Sequence, residues 1–171
     1  MRIEQIELRY VQMPLVHPFE TSFGRDDVRD TIIVAARGDG LTGWGEAATS
    51  AGPWYEYETV ETCWHVLSQF LGPALIGQEV STPEDAARMM GPVRGHGLAK
   101  MGLEAAVWDL LARAQGISVA GLLGGTQTQV PVGVSIGVQA SVPVLLERIE
   151  SFWERGYSRI KIKIRPGWDV D

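Results

Sequence analysis

The sequence predicts an α+β domain followed by the first β-α-β unit of an α/β domain, on three observations. Three strand-like runs punctuated by Pro and Gly open the chain, and a region with apolar residues at three- and four-residue spacing follows. The last section then reads strand, helix, strand, a crossover long enough to join parallel strands in the right-handed sense. This change of character sets a boundary near residues 126–129, so residues 1–127 form the first domain and 128–171 open the second.

Residues 2–12, RIEQIELRYVQ, alternate imperfectly between apolar and polar, and residues 31–37, TIIVAAR, form a β-branched run; both read as strands. Asp39-Gly40 favours a tight hairpin, so Gly38-Asp39-Gly40 is a turn and residues 41–47 a third short strand, all antiparallel. Residues 17–24 read as a loop by their Pro and Gly, with Phe19 and Phe23 packed under it or lining a pocket. From Glu56 to Phe70 the apolar Val60, Cys63, Trp64, Leu67 and Phe70 keep helical spacing, up to a stop at Gly72-Pro73. Ser81-Thr82-Pro83 opens a short helix to about Met90. Residues 99–115 form the strongest helix, closed by Gly116, with Glu104, Asp109 and Arg113 on a solvated or interdomain face. In the last section residues 130–137 alternate large apolar residues with small ones, Ser141-Val142-Pro143 opens a helix to about Arg155, and RIKIKI, residues 159–164, follows Gly156.

Composition narrows the function classes. The net charge of −6 comes from dispersed carboxylates, and no Lys/Arg cluster interleaves with aromatic residues, which disfavours nucleic acid and favours small-molecule chemistry. No apolar run approaches the roughly 20 residues of a membrane span, and the polar start MRIEQIELRY lacks the apolar core of a signal peptide, so a cytoplasmic protein is expected. The single cysteine, Cys63, reads as a small buried residue. For His17, His65 and His96 no metal spacing with another His or Cys exists, and His96 sits in a Gly-rich loop.

The chemistry-bearing stretch is RIKIKI. On a strand with one wet face, alternating Ile and Lys would be unremarkable, but a crossover helix argues for a parallel strand, and parallel strands are covered on both faces. With Ile160, Ile162 and Ile164 toward the helices, Lys161, Lys163 and Arg165 face the other way, beside Pro131, Gly133, Ser135 and Gly137 of the preceding strand. Small residues next to long cations leave room for a polar cavity, such as a closed parallel barrel provides at the C-terminal ends of its strands. Two ammonium groups about 6.6–7 Å apart in a dry interior depress each other's charge, which suits one of them to general-base work.

These residues resemble a family. The Gly43-Trp44-Gly45-Glu46 turn, the helix AKMGLEAAVWDLLAR, the segment Leu122-Leu123-Gly124-Gly125, the strand VPVGVSIG and the KxK strand are together similar to the muconate-lactonizing subgroup of the enolase superfamily. Within it VQMPLVHPFETSFG, GHGLAKMGLEAAVWD and RIKIKIRPGWDV most resemble the N-acylamino-acid racemase and o-succinylbenzoate synthase branch. The resemblance spans the whole chain, and it implies an α+β capping domain followed by the first β-α-β of a (β/α)8 barrel. It implies Mg²⁺-dependent abstraction of a proton α to a carboxylate, from an N-acylamino acid or a cyclohexadiene carboxylate. Lys163 would be one of two catalytic bases and Lys161 would support it and the carboxylate. Ser135 would border the substrate, and Phe19, Phe23, Ser50 and Trp54, on two loops, would close over its acyl or aromatic part. A homo-oligomer is expected.

The departure from the family pattern is one of length. A complete (β/α)8 barrel takes about 250 residues, whereas residues 130–171 hold two barrel strands. The resemblance assigns the Mg²⁺ carboxylates to the third, fourth and fifth strands and the opposing lysine to the sixth, so no metal ligand is assigned within this chain. Asp169 and Asp171 fall in a turn after the KxK strand and are not read as ligands. The chain is therefore expected to be the N-terminal portion of an enzyme, inactive alone and carrying open strand edges. A dipeptide epimerase or muconate cycloisomerase is the alternative, the first disfavoured by the Phe- and Trp-containing loops. A reading of another class is a truncated, non-catalytic binding or assembly module.

Overall fold

Why the early residues form a sheet is visible at its second turn. A computed structural model describes residues 1–22 and 24–167. Asp39 and Gly40 both take positive φ, 51° and 76°, the pair of values a two-residue hairpin with right-handed strand twist requires. The turn joins β2 (Arg25–Gly38) to β3 (Leu41–Ala47) in antiparallel register, Gly38 opposite Leu41 and Ile32 opposite Ala47. With β1 (Gln5–Glu20) the sheet order is β1-β2-β3.

The loop expected over residues 17–24 is mostly strand. β1 runs to Glu20, β2 begins at Arg25, and the Thr21 N–H donates to the Gly24 carbonyl between them at 2.8 Å. β1 lies at the edge of its sheet, where Pro14 and Pro18 do not rob an inner ladder of a donor. Phe23 lies outside the described residues.

Glycine sets the distance between sheet and helix. α4 (Gly97–Ala114) packs across β3, and the contact is close because neither side has a Cβ where they meet. A Cβ on Gly43 would fall 2.2 Å from the Ala106 carbonyl oxygen, one on Gly45 2.1 Å from that of Gly102, and one on Gly102 2.7 Å from the Ala47 nitrogen. The Gly43-Trp44-Gly45-Glu46 stretch thus lies in β3, the third strand expected over residues 41–47, with its two glycines toward the helix. Ile32, Val34 and Ala36 of β2 and Ala99, Leu103, Ala106, Val107 and Leu110 of α4 are fully buried and form one core with the preceding helices.

The helical region starts and ends later than expected. Thr59 and Thr62 cap each other reciprocally, so α1 (Val60–Val66) begins at Val60 rather than Glu56. Gly72-Pro73 does not stop it. A proline inside an α-helix lacks a donor and meets the carbonyl four residues back. The turn Leu67–Leu71 widens instead to π geometry, with the Gly72 N–H on the Leu67 carbonyl, and α2 (Gly72–Leu75) carries the helix on to Leu75, with Gly77 beyond it at φ 83°. α3 (Pro83–Met90) and the Gly116 terminator, φ 68°, fall where the sequence puts them, and α5 (Val119–Leu122) follows.

The last section forms β4 (Val134–Ile136), α6 (Val142–Glu154) and β5 (Ile160–Ile162). β4 and β5 are parallel, Val134 opposite Ile160, Ser135 opposite Lys161 and Ile136 opposite Ile162. Ser141 caps α6 and Gly156, φ 87°, follows its end. The paired strands are shorter than the alternating runs, and Val130 and Val132 stay exposed.

Contacts divide the chain into two compact units. One is Met1–Met13 with Asp30–Thr126; the other is Pro14–Arg29 with Gln127–Asp171. Residues 14–29 thus cluster with the later residues, not with the rest of residues 1–127. No helix among the described residues is long and apolar enough to cross a membrane.

Candidate functional site

The parallel register brings the sequence-picked residues of the second unit together. Neighbouring residues in a parallel ladder project to the same face, so Ser135 and Lys161 lie side by side, with Gly133 and Arg159 two positions earlier and Lys163 two positions later. A Cβ on Gly133 would stand 2.8 Å from Arg159 Nε, so glycine is what lets that guanidinium lie across β4. Gly133, Val134, Ser135, Arg159 and Lys161 line an open groove of about 410 Å³. The face is cationic, as the alternation in RIKIKI requires.

Lys163 stands at the C-terminal end of β5. Its N–H donates to the Ile136 carbonyl at 2.9 Å, which continues the parallel ladder one step past the strand, and its side chain is half-buried. Its Nζ lies 5.9 Å from the centre of the Phe19 ring. Two residues on, Arg165 donates to Glu20 Oε1 at 3.1 Å. The cover on both faces that the sequence argument assumed is absent among the described residues: Ser135 and Lys161 are exposed, Ile162 and Ile164 are 41% and 51% exposed. Two paired strands enclose no volume, so the described residues do not make the dry interior on which that argument relied.

Ser50 and Trp54 belong to the first unit. The Ser50 carbonyl accepts the Val60 N–H at 3.0 Å, and Trp54, 82% exposed, lays its indole against Gly52. Glu20 escaped the sequence reading, as did the buried Glu58. No local signal could have found the first: its ion pair joins residues 145 positions apart.

The donor set does not fit an Mg²⁺ site. Among the described residues no group of three or more His, Cys, Asp or Glu side chains comes together, and the Lys163 face presents cations, which repel a divalent ion.

Comparison with known proteins agrees with the sequence resemblance. Residues 5–124 match the mandelate racemase / muconate lactonizing enzyme N-terminal domain family. An o-succinylbenzoate synthase of Geobacillus kaustophilus is 45% identical over 172 residues, covering 100% of this chain and 46% of that protein. An N-succinylamino acid racemase of Amycolatopsis sp. is 43% identical, again over 100% of this chain and 46% of the relative. Among solved structures, an enolase superfamily member from Listeria innocua Clip11262 aligns with a TM-score of 0.90 at 32% identity, over 99% of this chain and 46% of that one. The chain thus spans about half the length of the relatives it matches. With this match over most of its residues, the chain belongs to the mandelate racemase / muconate lactonizing enzyme family of the enolase superfamily, through that family's N-terminal domain.

Proposed function

We propose that the protein containing this chain abstracts a proton α to a carboxylate, as an N-acylamino-acid racemase, an o-succinylbenzoate synthase or both. The observation that carries the reading is the parallel strand with Lys161 and Lys163 on one face, beside Ser135, in a chain of this family. Residues 1–127 are proposed as the capping domain and 128–171 as the start of a (β/α)8 barrel, whose strands expose chemistry at their C-terminal ends.

In this reading Lys163 Nζ takes the proton from the carbon next to the carboxylate and becomes an ammonium. Lys161, also a cation, holds the substrate carboxylate and favours the extra negative charge that builds beside it. Ser135 borders the substrate on β4. In a racemisation Lys163 keeps the proton and the protonated form of a second base, outside residues 1–171, delivers one to the opposite face; in the dehydration the β-hydroxyl leaves as water with the proton Lys163 accepted. Phe19 and Phe23 are proposed to contact the acyl or aromatic part of the ligand, and for Ser50 and Trp54 the same role rests on the resemblance alone. The Mg²⁺ that the family resemblance implies would be held by carboxylates outside residues 1–171. A cytoplasmic homo-oligomer acting on N-acylamino acids or a cyclohexadiene carboxylate completes the proposal.

Replacing Lys163 in the full-length protein tests it. Lys163→Ala should lower the exchange of the substrate α-proton with solvent deuterium by about 10²–10⁴-fold, the size of a positioned base, with Mg²⁺ affinity nearly unchanged. Unchanged deuterium incorporation into one enantiomer would refute the role given to Lys163.

A further inference from the structure

The segment that carries Phe19 is tied to the β-α-β unit by two hydrogen bonds and one close backbone approach within one compact unit. The Val138 N–H, two residues past β4, donates to the Glu20 carbonyl at 3.0 Å. The Glu20 carboxylate accepts from Arg165 at 3.1 Å. Between them Gly137 lets the two backbones close up, because a Cβ there would stand 3.0 Å from the Glu20 carbonyl oxygen and 3.1 Å from its nitrogen. Glu20 is thus bonded through both backbone and side chain to residues just past the ends of β4 and β5.

The residue before Glu20 inherits its position from these bonds. Phe19 is half-buried, and the Lys163 ammonium lies 5.9 Å from the centre of its ring, within the range where the negative face of an aromatic ring attracts a cation. A lysine stem has four carbons and many rotamers, so an ammonium without such a partner spreads over a wide volume. A base has to stand within hydrogen-bond reach of the proton it takes.

We propose that Phe19 is a positioning residue for Lys163, held in place by the Glu20 bonds to Val138 and Arg165. The inference rests on the reading of Lys163 as the base and assigns Phe19 a task other than contact with the ligand. The ring attracts the ammonium, the form Lys163 takes once it has accepted the α-proton, and narrows the rotamers from which that proton is taken.

Phe19→Leu keeps an apolar side chain but removes the ring face, and Phe19→Tyr keeps the ring. In the full-length protein, acylation of surface amines read by mass spectrometry should show Lys163 labelled about two- to fivefold faster in Phe19→Leu, with Lys161 as internal control and Phe19→Tyr restored. Turnover should separate in the same way: Phe19→Leu lowers kcat about two- to fivefold with KM less affected, and Glu20→Gln does so without adding to Phe19→Leu. Unchanged Lys163 labelling, or an effect of Phe19→Leu on KM alone, would overturn the proposal. If Lys163→Ala leaves α-proton exchange intact while Phe19→Leu still speeds labelling, the assignment of the base fails and the contact stands.

Discussion

Glu58 is 2% exposed, and its burial makes sense only with its partners named. Its Oε1 accepts the Leu98 N–H at 2.8 Å and its Oε2 the Ala99 N–H at 3.2 Å, two of the free donors at the start of α4. The residue that would ordinarily cap this helix, His96, sits in the left-handed region at φ 54° and offers no side-chain cap bond, so the carboxylate of Glu58, 40 residues before Leu98, replaces it. The same carboxylate accepts from the Cys63 thiol at 3.3 Å. Burial first, and then Glu58, push that thiol up to about 12, so Cys63 stays protonated and unreactive in the folded protein. Glu58→Ala leaves two helix donors and the thiol unpartnered, and should cost roughly 1–3 kcal/mol in chemical denaturation. Glu58→Gln, which keeps one acceptor oxygen, should recover part of the loss; equal stability of the alanine variant and the wild type would refute the capping role.

At the scale of elements, α3 shows how a local bond pattern sets a pH dependence. Asp85 accepts the N–H groups of Ser81 and Thr82, both at 2.9 Å, and an Arg88 guanidinium contact at 2.8 Å. The backbone donors, with Arg88 after them, lower its carboxyl from 3.8 to about 2. A carboxyl acidified by folding adds stability that is complete above its unfolded value, and is lost as pH falls from about 3.8 through about 2. The denaturation midpoints of wild type and Asp85→Asn should therefore differ above that window and converge as pH falls through it. A constant difference across the window would show that Asp85 acts in α3 by some route other than its charge. Proline and glycine act here as element-scale signals with two meanings: Gly116 ends a helix by its positive φ, whereas Gly72-Pro73 is absorbed by a π turn. The dipeptide signals a break, and only the widened turn before it removes one.

For the whole molecule the two compact units differ in what they bury. The first holds a continuous core that includes Ile3, Ile32, Leu71, Leu103 and Leu110, all fully buried. In the second, Ile136, Val138 and Leu145 are buried, while Val132, Leu146, Trp153 and Ile164 are 64%, 58%, 66% and 51% exposed. Apolar burial is the main favourable term in folding, so the second unit is the less stable part of this chain on its own. For residues 1–171 alone, amide exchange in β4, α6 and β5 should be faster than in α4 by at least about tenfold. Equal protection in the two units would mean that they unfold as one.

How much was legible follows from the range of the forces involved. Local rules carried the helices over residues 83–90 and 99–115, the Asp39-Gly40 hairpin and the strand-helix-strand ending, because caps, turn residues and apolar periodicity act within a few positions. The alternation in RIKIKI alone put Lys161 and Lys163 on one face, since side-chain period on a strand is two. Only the tertiary structure decided that β1 continues to Glu20, that Gly43 and Gly45 face a helix, that Glu58 caps α4, and that Phe19 and Glu20 meet Lys163 and Arg165. Each of these is a contact between residues distant in sequence, and what such a contact favours depends on the partner that the fold delivers.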